Sequence, residues 1–171
     1  KDKTHYYEKD IDASIQSVSG NSFFFGKDFG DFEDINFNYI IITVGTPISD
    51  DKKLNLDYIL SALDAIKPIY DGTQLVILRS TVSVGTTRKV VLPYLSKMVN
   101  INEDKVLLGF CPERTIEGNA IDELSELPQV IGGLNSNSYD AAEDFFRKIT
   151  PTILNVESLE AAELVKLFNN T

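Results

Sequence analysis

The stretch Tyr39-Ile40-Ile41-Ile42-Thr43-Val44-Gly45-Thr46-Pro47 decides the fold. A strand with one wet face alternates apolar and polar residues, and this run does not. Apolar on both faces and rich in β-branched residues, it reads as a strand inside a parallel sheet covered by helices on each side. It closes on Gly45-Thr46-Pro47, at the edge of the sheet where ligands usually sit.

Downstream, the pattern repeats. Ile59, Leu60, Leu63 and Ile66 recur at helical spacing between Asp57 and Lys67, with Pro68 as the limit. Leu75-Val76-Ile77-Leu78 is a second buried strand, closed by Arg79-Ser80-Thr81. Thr86 or Thr87 is the expected cap of the next helix, whose stripe is Val90, Val91, Tyr94, Leu95 and Met98, and Pro93 is expected to kink or divide it. Val106 to Phe110 is a third strand leading into the loop Cys111-Pro112-Glu113-Arg114. Val130-Ile131 ends in Gly132-Gly133, a helix is expected over 141–149, and a short strand over 153–156. Ser158 then reads as the N-cap of a last helix carrying Leu159, Ala162, Val165 and Phe168, with acids in its first turns. Strand, crossover and strand in repetition make an α/β sheet. Upstream, a Gly20-Asn21 turn signal, the apolar Phe23-Phe24-Phe25 and an acidic stretch from Asp28 to Asp34 show no such pattern.

Composition bounds the remaining classes. With 171 residues, 43% hydrophobic and 25% charged, the chain has the make-up of one globular domain with a piece of a second. A chain of this size removes roughly 70% of its unfolded surface on folding, so a core forms without a staple. The formal charge of −10 comes from acids spread along the chain, a surface that repels phosphate backbones and argues against nucleic-acid binding. One cysteine excludes an internal disulfide and fits a reducing compartment. Apolar runs fall short of the ~20 residues a bilayer requires, and no signal peptide opens the chain, so a cytoplasmic protein without membrane contact is expected. With a single cysteine, Cys111, and a single histidine, His5, no zinc site is expected.

A dinucleotide-binding sheet begins with a strand feeding a glycine-rich turn. No G-x-G-x-x-G occurs here, and Gly132-Gly133 and Val84-Gly85-Thr86-Thr87 have the wrong spacing. The expectation is that both ends are cuts through a larger protein.

The segments Val44–Pro47, Arg79–Thr87, Cys111–Ala120, Val130–Gly133 and Ala162–Thr171, in that order, resemble the UDP-glucose/GDP-mannose dehydrogenase family. The Glu117–Ala120 and Glu126-Leu127 patterns are more similar to the branch acting on UDP-N-acetylhexosamines, which makes precursors of surface polysaccharides. The resemblance implies a Rossmann-like NAD-binding domain over residues 1–156, lacking its first βαβ unit, and the start of a central helical domain over 157–171. It implies NAD as cofactor, a UDP-sugar as substrate, and a homodimer formed through the helical domain. The reaction implied is four-electron oxidation of the C6 alcohol to the carboxylate through a thiohemiacetal and a thioester. The reactive thiol lies beyond this chain, so these residues alone are expected to be inactive. Gly45 departs from the family's usual proline and frees a backbone angle beside the cofactor.

Such chemistry requires a carboxylate to activate water and donors for a developing oxyanion. The resemblance assigns Glu113 as general base in thioester hydrolysis, with Glu117 placing substrate and water; solvated loop acids are the plainer alternative. Lys166 and Asn170, an i, i+4 pair, form the candidate oxyanion clamp, against an alternative in which Lys166 is solvent-exposed and pairs with Glu163. Thr81 is expected at the nicotinamide side, catalytic or cofactor-binding, with Thr46, Pro47 and Ser80 shaping the cofactor groove; plain turn closure is the alternative. Arg79 and Arg114 meet either a phosphate or a neighbouring carboxylate. Cys111 reads as a buried apolar residue. Two rival functions remain: a non-catalytic nucleotide-sugar-binding module, and a two-electron NAD(P)-dependent hydroxy-acid dehydrogenase.

Overall fold

A computed structural model describes residues 8, 10–32, 34–48, 54–116 and 118–169; His5, Glu117 and Asn170 lie outside the described residues. Five strands form one sheet in the order β1-β2-β3-β4-β5: β1 Tyr39–Ile42, β2 Leu75–Leu78, β3 Leu108–Phe110, β4 Gln129–Gly133 and β5 Ile153–Asn155. The helices among the described residues are α1 Ile11–Val18, α2 Asp57–Ala65, α3 Leu92–Val99, α4 Ala120–Glu126, α5 Ser136–Phe146 and α6 Leu159–Asn169.

The non-alternating strand reading is met in full by β2. Val76 and Leu78 join a core with Ile59 and Leu63 of α2, Leu95 of α3 and Leu159 and Ala162 of α6. Leu75 and Ile77 face the other way, into a second core with Ala142 and Phe146 of α5. β1 meets the reading only in part. Ile40 and Ile42 are buried, but β1 ends the strand order, and Ile41 is 39% exposed.

The sheet departs from the expected all-parallel arrangement at one pair. β1, β2 and β3 run parallel, as do β4 and β5, but β3 and β4 are antiparallel. A parallel return needs a crossover spanning the sheet. Among the described residues between Phe110 and Gln129 the only helix is α4, Ala120–Glu126, and β4 starts at the carboxyl edge where β3 ends. α6 consequently runs toward that same edge, which brings its Glu163 and Lys166 to the loops after β2 and β3.

The Pro93 expectation is resolved by geometry. A π-helical turn, Thr87–Val91, precedes α3, with Leu92 N–H bonding to the Thr87 carbonyl and Pro93 in the first turn of α3. Proline supplies no N–H to the turn below it, and the wider turn accommodates the missing bond. The expected caps are met in position only: Thr86 stands at the N-cap of the π-helical turn but makes no side-chain cap bond. The Thr86 hydroxyl donates to the Ser83 carbonyl at 2.7 Å, and Thr87 donates its hydroxyl to Glu163 at 2.6 Å. Ser158 caps α6 as expected, accepting Ala161 N–H at 3.0 Å. α5 starts earlier than its apolar pattern suggested because Asn135 caps it, accepting Ser138 N–H at 2.9 Å.

Candidate functional site

The carboxyl edge of β1 to β3 is tied together by hydroxyls. Thr46 Oγ1 donates to the Thr81 carbonyl at 2.6 Å, and Ser80 Oγ donates to the Val44 carbonyl at 2.6 Å. The loops after β1 and β2 are thereby cross-braced at the point where they would border a ligand. Pro47 accepts Asn55 N–H at 2.9 Å through its carbonyl, which turns the chain back before α2. Ser80 is buried and Thr81 half-buried.

One strand over, the loop after β3 is not helical up to Ile116, so Glu113 owes its position to partners and not to a helix face. Its Oε1 accepts Arg114 N–H at 2.8 Å and Thr115 N–H at 2.9 Å, and its Oε2 pairs with Arg79. Arg79 itself is nearly buried at the end of β2. It donates to Gln129 Oε1 at 3.2 Å and lies 5.1 Å from the Phe146 ring centroid. A guanidinium stacked on a ring and hydrogen-bonded on its flank has one orientation left, and that orientation aims it at Glu113. Burial raises the Glu113 carboxyl, but the Arg79 charge and the hydrogen bonds from Thr115, Arg79 and Arg114 outweigh it and hold the group below the ordinary glutamate range. Glu113 is therefore ionised at neutral pH, and its side chain, 39% exposed, remains within reach of water.

Lys166 arrives from α6. Its Nζ donates to the backbone carbonyl of Glu113, which joins the two predicted residues directly. An ammonium has three donors, so two remain for another oxygen. Burial, assisted by the charges of Arg79 and Arg114 and opposed by Glu113, holds Lys166 below the ordinary lysine value. The solvent-facing alternative for Lys166 fails, because Glu163 is fully buried and engaged elsewhere. Lys166 lines an open cleft of about 400 Å³ together with Arg114, Thr115, Ile116, Glu123, Leu127 and Asn169. That volume lies in the range of small-molecule sites. Thr46, Pro47, Ser80, Thr81 and Glu113 are not on its lining.

Cys111 is fully buried in the α5-side core, and burial pushes its thiol up to about 12. It is an apolar residue in practice, as expected. Arg114 takes the structural role, donating to the Pro128 carbonyl at 2.8 Å. Arg79 resolves its ambiguity in favour of a carboxylate. Sequence reasoning missed Gln129 entirely and treated Arg79 as undecided. Gln129 carries no local signal, since its role exists only because β4 starts at the same edge at which β2 ends.

Three comparisons bear on this arrangement. Residues 1–150 match the NAD binding domain of the UDP-glucose/GDP-mannose dehydrogenase family. The UDP-N-acetyl-D-mannosamine dehydrogenase of Methanococcus vannielii is 34% identical over 135 residues, covering 77% of this chain and 30% of that protein. The NDP-N-acetyl-D-galactosaminuronic acid dehydrogenase of Ralstonia solanacearum is 26% identical, covering 98% of this chain and 40% of that protein. Among solved structures, the UDP-D-ManNAc dehydrogenase of Pyrococcus horikoshii superposes with a TM-score of 0.88 at 28% identity, over 98% of this chain and 40% of that one. The chain thus spans roughly a third of the length of the curated relatives it matches. A mostly parallel α/β sheet, a braced carboxyl edge and this match to a family profile lead to one conclusion: the chain belongs to the UDP-glucose/GDP-mannose dehydrogenase family, its residues 1–150 matching the NAD binding domain.

Proposed function

We propose that the complete protein oxidises the C6 alcohol of a UDP-N-acetylhexosamine to the carboxylate, as a cytoplasmic step toward surface polysaccharide precursors. In this reading residues 1–156 belong to the cofactor domain, 157–171 begin a central helical domain, and that helical domain forms a homodimer. The observation that carries the reading is the contact between Lys166 and Glu113 at the carboxyl edge of the sheet. It brings the Lys166 ammonium to the backbone of the residue that carries the carboxylate, from segments 53 residues apart.

The residues fit part of a dinucleotide site. The braced loops after β1 and β2, with Thr46, Pro47, Ser80 and Thr81, suit the nicotinamide side, and the glycine-rich pyrophosphate turn is not among the 171 residues. Bound NAD would supply the hydride acceptor. Thr46 and Ser80 spend their hydroxyls on bracing, so they act on a cofactor by holding the loop shape, and the hydroxyl of half-buried Thr81 is assigned to the cofactor. Lys166, with Asn170 four residues on in the sequence, stabilises negative charge on the C6 oxygen through its two uncommitted N–H groups. Glu113, ionised and water-accessible, takes the proton from the water that releases the acid, with Glu117 helping to place that water. Arg79 keeps Glu113 aimed.

The test is stoichiometric. With UDP-N-acetyl-D-mannosamine and the complete protein, two NADH per sugar and a uronic acid product are expected. One NADH with free aldehyde contradicts the reading and favours a two-electron dehydrogenase, and binding without any NADH favours a non-catalytic module.

A further inference from the structure

Glu163 is fully buried, and none of the chemistry above uses it. Its Oε1 accepts Thr87 N–H at 2.8 Å and the Thr87 hydroxyl at 2.6 Å, while Oε2 accepts Gly85 N–H. These donors belong to the start of the π-helical turn that leads into α3, which leaves its first N–H groups without partners inside the helix. A helix start is ordinarily capped by a Ser, Thr, Asp or Asn of its own loop. Ser83 and Thr86 stand in the same loop, yet the Thr86 hydroxyl donates to the Ser83 carbonyl and the acceptor comes from 76 residues away. Gly85 makes this feasible, since its φ of 91° turns the loop through a conformation that disfavours a side chain. The same N-terminal partial charge that needs a cap favours an ionised acceptor.

We propose that Glu163 is a positioning residue that sets the rotation of α6 and thereby holds Lys166 against Glu113. The inference rests on the function proposed above. α6 approaches β4 closely at Gly132, where an added Cβ would lie 2.2 Å from the Ser158 carbonyl oxygen and 2.8 Å from Ala162 Cβ. That approach sets how near the helix lies, but a smooth glycine surface does not fix how it is turned or how far it slides. Two carboxylates on α6 do. Glu160 pairs with Arg88 at 2.6 Å and 3.2 Å, and one turn later Glu163 enters the interior and takes its three donors. Lys166 follows Glu163 by three residues, about 4.5 Å along the axis and on a neighbouring face. Any rotation of α6 that breaks the Glu163 bonds swings Lys166 away from the Glu113 carbonyl. The loop held by Glu163 is also the continuation of Ser80 and Thr81, so one carboxylate couples the braced cofactor edge to the helix that carries the amine.

The test uses the complete protein and compares Glu163→Gln and Thr87→Val with wild type and with Lys166→Ala. Thr87→Val removes a single donor and keeps the shape, so it serves where Glu163→Gln does not fold. The expected result is a kcat lower by about tenfold or more for Glu163→Gln, and a smaller drop for Thr87→Val, with KM for the sugar nucleotide within about twofold. Glu160→Gln, at the half-exposed pair, should change kcat by less than about threefold. Wild-type kcat in Thr87→Val together with wild-type kcat or a stability loss alone in Glu163→Gln overturns the positioning role. Full turnover by Lys166→Ala overturns the reading of the site itself, so the two failures are distinguishable.

Discussion

The corner where β2, β3, β4 and α6 meet and the stretch around α1 differ in how they are held. At the corner, Arg79, Glu113, Gln129, Glu163 and Lys166 are joined by bonds between residues far apart in the chain, on top of two buried cores. In α1 no residue is buried, and Ser14 and Ser17 bond to carbonyls of their own helix region. Phe24 and Phe25 are 60% and 68% exposed, and Phe23 packs edge-on against Phe25, its near neighbour. Glu8 ties this part across to Gly118 N–H at 2.8 Å. The lesson is that polar groups fix a geometry when burial already holds the surrounding elements together. Where contacts are local, they shape a segment without anchoring it.

The comparison breaks most readily at Gly132. Gly132→Ala places a Cβ inside the Ser158 carbonyl and should lower stability by about 3 kcal/mol or more, read by urea denaturation, as α6 is forced off β4. Arg79→Met should cost about 2 kcal/mol; the half-exposed Glu113 recovers part of the loss through water. The same variant lets the Glu113 pKa rise, so the acid limb of the pH profile for turnover moves to higher pH. A third effect is read from stability against pH. The folded-state Glu113 carboxyl is held below its ordinary value of 4.5, so its contribution is full above that value and lost as the pH falls through the folded value. Acid titration should therefore shrink the stability gap between wild type and Glu113→Gln, and a constant gap would contradict the pairing. Smallest of all, Phe24→Ser should change stability by less than about 0.5 kcal/mol while raising solubility. A loss comparable to Arg79→Met would erase the contrast between the two regions.

Much of this was readable in advance because burial writes periodicity into sequence. β2 lacks alternation since both of its faces are covered, and α6 shows both its cap and its stripe. The reversal between β3 and β4 was not readable. It depends on β4 starting at the edge where β3 ends, and no local pattern distinguishes that from a crossover. The site divides in the same way. Glu113, Lys166 and Thr81 are nominated by motif resemblance alone, and the structure brings Lys166 into contact with the Glu113 backbone. Arg79 and Gln129 were not assigned, because an arginine or glutamine at a strand end gains its role from whatever the fold sets opposite. Glu163 enters the sequence reading only in the alternative to the clamp, as the partner of an exposed Lys166, because one helix cannot reveal which neighbour will need its carboxylate.

The most direct test of the convergence of Glu113 and Lys166 on one reacting carbon is a rapid-mixing measurement on Glu113→Gln in the complete protein. The account predicts a burst of two NADH per active site followed by arrest, because both hydride transfers proceed and only release of the acid is blocked. Steady turnover at the wild-type rate would contradict it.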